Sequence, residues 1–67
     1  MLQEERHQYI LDQLKKHKRV LTEELGRALT VSSDTIRRDL IQLEQDGKLQ
    51  RVHGGAISIG FNTPFQP

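Results

Sequence analysis

Two short amphipathic segments joined by about three residues constrain this chain more than any other feature. The first segment is predicted to be a helix from Thr22, as N-cap, to about Leu29. The second is predicted to begin after Ser32, also as N-cap, and to run to about Asp46. Ser and Thr favour these positions because their hydroxyl groups accept hydrogen bonds from the free amides of the first turn. Each segment has one apolar face, and a tight break between them matches a helix-turn-helix unit.

A third helix is predicted ahead of this unit, and the helices are expected to pack closely. It runs from about Gln3 to His17, with Ile10 and Leu14 on one apolar stripe. Gly26 lies inside the next helix, where glycine costs about 1 kcal/mol relative to alanine. The close approach of another helix would explain that glycine.

The periodicity changes after the third helical segment and predicts a β-hairpin. Residues 49–52 and 56–59 are predicted strands, joined by a Gly54-Gly55 turn with positive φ at both positions. In that register Val52 faces Ile57, and both are expected to cover the helices. The fold class is therefore predicted as mostly α (α+β): a winged helix-turn-helix, with three helices and a small β-hairpin wing. This domain is expected to occupy residues 1–59.

The charge distribution favours a polyanionic partner, although the formal net charge is only +1. The last acidic residue is Asp46, and Lys48, Arg51 and His53 follow it without a carboxylate. The C-terminal third can therefore present positive potential to nucleic acid while acids elsewhere keep the total near neutral.

Composition also excludes several classes of protein. The chain has 67 residues and no cysteine, so we expect one small domain without disulfides or a thiolate metal site. No apolar run approaches the ~18 residues of a membrane span. We expect no secretory signal, because the first residues lack the apolar core of a signal peptide. We therefore expect no metal, no cofactor, no membrane association, and a cytoplasmic location.

The polar face of the third helical segment carries the most informative side chains. With Ile36 as the buried direction and roughly 100° per residue, Arg38 points almost directly outward. Thr35 flanks that direction, and Arg37 lies at about a right angle to the core direction. The exposed N-terminal half of such a helix is the part that enters a DNA major groove. There, Arg binds guanine bidentately, and Thr offers a hydroxyl and a methyl group.

Other polar residues of this segment allow more than one interpretation. Ser32 and Ser33, at the helix start, suit phosphate contacts beside free backbone N–H groups. Arg38 is also spaced to pair with Asp34 at i,i+4 on the surface, and helix geometry does not choose between this pair and DNA. Asp39 points toward the core edge and is expected to pair with a cation of the first helix or of the connector that follows it.

Two linked motifs resemble a known family. Residues 31–40 read VSSDTIRRDL, and Leu43-Glu44, Gly47 and residues 51–56, RVHGGA, follow. Together they closely resemble the N-terminal domain of DeoR-type bacterial repressors, whose signature joins a Ser-x-x-Thr-Ile-Arg-Arg-Asp-Leu recognition helix to a His-Gly-Gly-Ala wing. The resemblance covers about residues 6–57. One departure is Gly26, where the family usually has alanine.

This resemblance implies a site, a function and partners. The residues implied to face DNA on the recognition helix are Ser32, Ser33, Thr35, Arg37 and Arg38. Those implied to touch the backbone or minor groove from the wing are Arg51, His53, Gly54 and Gly55. The implied function is sequence-specific binding of double-stranded operator DNA as a transcriptional regulator, as a rule a repressor of a sugar or carbohydrate operon. Family members continue into a C-terminal domain that binds a phosphorylated sugar and forms a homo-oligomer, so residues 60–67 are expected to begin the linker to it.

Alternative functions follow from the same residues. An enzyme is not expected, because His7, His17 and His53 have no nucleophile or metal-ligand partner at useful spacing. A winged helix used for protein–protein contact is the main alternative, and Ile41 is the large apolar residue near the exposed face of the third helix. RNA is a weaker one, because the major groove of A-form RNA is too deep and narrow for side chains to read.

Overall fold

The computed structural model describes residues 2–59 and has the predicted winged helix-turn-helix architecture. The elements in chain order are α1 (Gln3–His17), β1 (Arg19–Leu21), α2 (Thr22–Leu29), α3 (Ser33–Gln45), β2 (Gln50–Val52) and β3 (Gly55–Ile57). The linker predicted at 60–67 lies outside the described residues.

A single apolar cluster joins the three helices to the sheet. Its members come from the helices, from β1 and β3, and from the segment before β2, namely Ile10, Leu14, Val20, Leu25, Leu29, Ile36, Leu40, Leu43, Leu49 and Ala56. Leu40 and Leu43 continue the face of α3 that Ile36 begins, at the spacing expected for one side of a helix. The opposite side of α3 is thereby turned toward solvent.

The two helices of the helix-turn-helix unit begin in different ways. Ser32 caps α3 as predicted, because its Oγ accepts a hydrogen bond from the Thr35 N–H at 3.2 Å. The prediction that Thr22 caps α2 is wrong, since Leu21 holds the cap position without a side-chain bond. The Thr22 N–H instead donates to the Gly54 carbonyl at 2.8 Å, so the wing satisfies this free amide of the first turn.

The sheet has three strands rather than a hairpin alone, in the order β1-β3-β2. The predicted pairing of Val52 with Ile57 is wrong: Val52 pairs with Gly55, and the turn consists of His53 and Gly54. Of the two predicted glycines, only Gly54 has positive φ, at 84°. Because side chains alternate between sheet faces, this register leaves Val52 38% exposed. All three residues of β2 are exposed, so the expected cover from Val52 is not formed.

Glycine is required at position 55 because β1 passes directly over it. A Cβ there would overlap the Val20 carbonyl oxygen and lie 3.0 Å from the Leu21 Cα. Gly26 approaches the turn before α3 more closely than it approaches another helix, since a Cβ there would lie 3.0 Å from the Val31 carbonyl oxygen. The two glycines therefore let β1 pack directly against the backbone of β3, and the turn before α3 pack against the backbone of α2.

A buried ionic cluster fixes α3 against α1. The Arg6 Nε donates to Asp39 Oδ2 at 2.6 Å, and the Arg6 Nη2 donates to Oδ1 at 3.1 Å. The His7 Nε2 lies 3.2 Å from Asp39 Oδ1. The hydrogen bond that Arg6 donates to Asp39 raises the pKa of Arg6 above its ordinary value, against the opposing effect of burial. The predicted pairing of Asp39 with a cation of the first helix is therefore confirmed.

Candidate nucleic-acid interface

The outward side of α3 has the orientation that the helical geometry predicts. Ile36 is fully buried, whereas Arg37 and Arg38 are exposed and Thr35 is half-buried. Within residues 2–59, Arg38 forms no ion pair or side-chain hydrogen bond. Its guanidinium is available to a partner outside the domain.

Asp34 pairs with Arg37 rather than with Arg38. The Arg37 Nη1 donates to Asp34 Oδ1 at 2.8 Å, and the two side chains are 57% and 76% exposed. An exposed pair of this kind contributes about 0.2–0.5 kcal/mol, so a phosphate can displace it at low cost. The i,i+4 alternative considered for Arg38 is not formed, although Arg37 takes the equivalent contact at i,i+3.

The start of α3 combines a side-chain cap with free backbone amides. Ser32 Oγ lies 3.0 Å from Thr35 Oγ1 as well as accepting the Thr35 N–H. Both hydroxyl groups therefore belong to the cap, while Ser33 is exposed and caps nothing. The positive end of the helix dipole and the amides of this first turn suit an anion.

The wing places its polar residues beside α3. Arg51 and His53 are exposed, and Gly54 is exposed at the turn. The Arg51 N–H donates to Glu44 Oε2 at 3.1 Å, which ties β2 to the last turns of α3. Gly55 is buried in the middle strand, so it does not share the exposed surface on which it was predicted, and its presence is explained by the packing of β1.

A groove of about 710 Å³ separates α2, α3 and the wing. The predicted site residues that line it are Ser33, Arg37, Arg51, His53, Gly54 and, through its backbone, Gly55. Ser32 lines an adjoining hollow, and Thr35 and Arg38 lie on α3 outside both. The fold thus brings the start of the recognition helix and the wing to the two sides of one groove.

The arrangement of a recognition helix and a wing around a groove agrees with the comparison to known families. The DeoR-like helix-turn-helix domain family matches residues 6–60. The chain belongs to this family. The predicted resemblance is confirmed, and it covers α1 from its fourth residue onward and the other five elements in full.

Relatives of this DeoR-like domain are named as transcriptional regulators. The chain is 52% identical over 59 residues to the uncharacterized HTH-type transcriptional regulator FruR of Bacillus subtilis (strain 168), covering 88% of this chain and 24% of that protein. It is 53% identical over 57 residues to the HTH-type transcriptional repressor GlcR of the same organism, covering 85% and 22%. It is 43% identical over 67 residues to the glycerol-3-phosphate regulon repressor of Escherichia coli (strain K12), covering 97% and 27%.

The chain therefore spans about a quarter of the length of these curated relatives. No solved structure matches it. Among residues 2–59, no helix is long and apolar enough to cross a membrane. The same residues contain no group of three or more His, Cys, Asp or Glu side chains able to hold a metal ion.

Arg27 is a candidate contact of this DeoR-like domain that the sequence analysis missed. It is exposed in the last turn of α2 and lines both the groove and the hollow beside Ser32 and Ser33. Glu23 also lines both and reduces the positive potential at this point. The signal available in the sequence was a cation in the last turn of the helix before the tight turn, where the chain passes close to the start of the next helix.

Proposed function

We propose that this DeoR-like domain binds specific double-stranded DNA as the operator-recognising part of a transcriptional regulator. The observation that carries the proposal is the exposed side of α3, which presents Arg37 and Arg38. Arg37 lines one groove together with Arg51 of the wing. An α-helix fits the major groove of B-DNA, and a wing beside it reaches the adjoining backbone or minor groove. The names of the relatives agree with this function.

Each exposed residue has a proposed role. Arg38 reads base edges, because it points directly outward and has no ion pair within residues 2–59. Arg37 contacts phosphate at the wall of the groove, leaving Asp34 when it does so. Ser33 and the first amides of α3 bind another phosphate, and Arg51 with His53 holds the backbone from the wing.

The whole protein is proposed to be longer and to act as a repressor. The chain covers 22% to 27% of the three relatives described above, and the remainder of such a protein is proposed to bind a phosphorylated sugar or related metabolite and to form a homo-oligomer. One relative is named for a glycerol-3-phosphate regulon and another, of Escherichia coli (strain K12), is named L-fucose operon activator. Binding to operator DNA places the protein at the nucleoid, in the bacterial cytoplasm, and no catalytic role is proposed.

Binding of a labelled DNA duplex, measured by fluorescence anisotropy across several salt concentrations, tests this function. The domain alone is expected to bind non-specific duplex with a Kd of about 10⁻⁴–10⁻⁶ M near physiological salt, and to weaken steeply as salt rises. Duplex RNA of the same length is expected to bind more weakly. Absence of salt-dependent DNA binding would contradict the proposal and favour a protein-contact module. The structure offers little support for that alternative, because Ile41 is half-buried and exposes little apolar surface.

A further inference from the structure

Glu44 connects the recognition helix to the wing by two different contacts. Its Oε2 accepts a hydrogen bond from the Arg51 backbone N–H at 3.1 Å. Its Oε1 lies 3.7 Å from the Arg51 Nη1, and the two side chains are 40% and 41% exposed. One carboxylate therefore binds both the backbone and the guanidinium of the same wing residue.

The backbone contact holds the free edge of the sheet. β2 is an edge strand that pairs with β3 alone, and Arg51 lies opposite Ala56, which also pairs with Val20 on the other side. In an antiparallel ladder, alternate residues turn their N–H groups away from the partner strand. The Arg51 N–H is such a group, and Glu44 provides its acceptor.

The side-chain contact is long and accessible to water. At 3.7 Å it is an ion pair without a hydrogen bond between the two side chains, unlike the 2.6 Å contact of the buried Arg6–Asp39 pair. Exposed pairs of this kind are weak, whereas Arg binds phosphate through short, charge-assisted hydrogen bonds. A DNA phosphate can thus replace Glu44 as the partner of the guanidinium.

We propose that Glu44 is a positioning residue with two separable effects on DNA binding. Its bond to the backbone keeps the wing beside α3, which favours binding. Its negative charge pairs with the Arg51 guanidinium in the place that a DNA phosphate would take. This pairing opposes binding until a phosphate displaces Glu44. This inference rests on the proposed function, because it requires a phosphate as the second partner.

Two substitutions at Glu44 separate these effects. Glu44→Gln keeps an oxygen that accepts the Arg51 N–H but removes the charge, so duplex binding is expected to tighten about 2–5-fold at low salt. Glu44→Ala removes both contacts, and the exchange of the Arg51 amide proton with solvent is expected to accelerate about 2–10-fold. Glu44→Ala is therefore expected to bind duplex more weakly than Glu44→Gln, although both have the same charge.

A double-mutant cycle excludes a general effect of charge. In an Arg51→Ala background the gain from Glu44→Gln is expected to disappear, because no guanidinium remains to be released. Asp46→Asn, two residues further along the chain and without a contact to Arg51, is the matched control and is expected to give a smaller gain that Arg51→Ala leaves unchanged.

Several results would overturn the inference. A gain from Glu44→Gln that persists with Arg51→Ala, or equals that of Asp46→Asn, would show that only the net charge matters. Unchanged exchange of the Arg51 amide in Glu44→Ala would remove the positioning effect. If the parent domain binds no duplex, the proposed function fails and the release of Arg51 to phosphate fails with it, while amide exchange still reports the contact between Glu44 and the wing.

Discussion

Replacing Asp39 by asparagine is expected to destabilise the domain strongly, because it removes the charge at the centre of the α1–α3 contact. The Asp39 side chain is 2% exposed and binds Arg6 through two hydrogen bonds of 2.6 and 3.1 Å. Loss of one partner from a fully buried pair costs about 3–5 kcal/mol. Arg6 is 15% exposed and can regain some hydration, so we expect about 2–3 kcal/mol for Asp39→Asn.

This loss is large for a domain of this size. At about 0.05–0.15 kcal/mol per residue, a chain of 67 residues has a free energy of unfolding of roughly 3–10 kcal/mol. Each kcal/mol shifts Tm by about 4–8 °C in domains of about this length, so Asp39→Asn is expected to lower Tm by about 10–20 °C.

Circular dichroism at a helix band during heating and during urea titration measures this change. Asp34→Asn is the matched control, since the Asp34 side chain is 76% exposed and its pair contributes less than about 0.5 kcal/mol. The two variants lose the same charge from the same helix. Equal and small effects of Asp39→Asn and Asp34→Asn would refute the argument that burial makes the Arg6–Asp39 pair important.

Three further substitutions test the packing and capping. Gly55→Ala is expected to lower the free energy of unfolding by at least about 3 kcal/mol, because its Cβ would overlap the Val20 carbonyl, and a folded variant with a parental urea midpoint would contradict this. Gly26→Ala is expected to stabilise by less than about 0.5 kcal/mol, since higher helix propensity is opposed by the 3.0 Å contact with Val31; a fall in Tm would show that the turn cannot adjust. Ser32→Ala is expected to cost about 1 kcal/mol through loss of the α3 cap, and an unchanged thermal transition would show that the cap contributes nothing.

The sequence predicted those parts of the fold that local patterns determine. The apolar stripes fixed which face of α3 is buried, and this orientation gave Arg38 its outward position. The Ser32 cap follows from residues three positions apart. Asp39 was expected to find a cation because it lies at the core edge, where an unpaired carboxylate is costly.

Features that depend on contacts distant in sequence were not predictable in this way. The adjacent Gly54 and Gly55 each suit a turn, and the choice between two registers depends on β1, which passes over Gly55. The start of α2 likewise depends on the Gly54 carbonyl of the wing. The contact between Glu44 and Arg51 requires this register, so neither residue alone revealed it.

The central claim is that α3 reads bases while the wing holds the backbone, and comparison of Arg38→Ala with Arg51→Ala tests it most directly. Both are measured across several salt concentrations, on the best duplex selected from a random pool and on a scrambled duplex of equal length. Arg38→Ala is expected to lose about 1–3 kcal/mol on the selected duplex and less on the scrambled one. Arg51→Ala is expected to weaken binding to both duplexes equally. It is also expected to reduce the slope of log K against the logarithm of salt concentration by about one. Equal losses on both duplexes for Arg38→Ala, with a loss confined to the selected duplex for Arg51→Ala, would contradict the account.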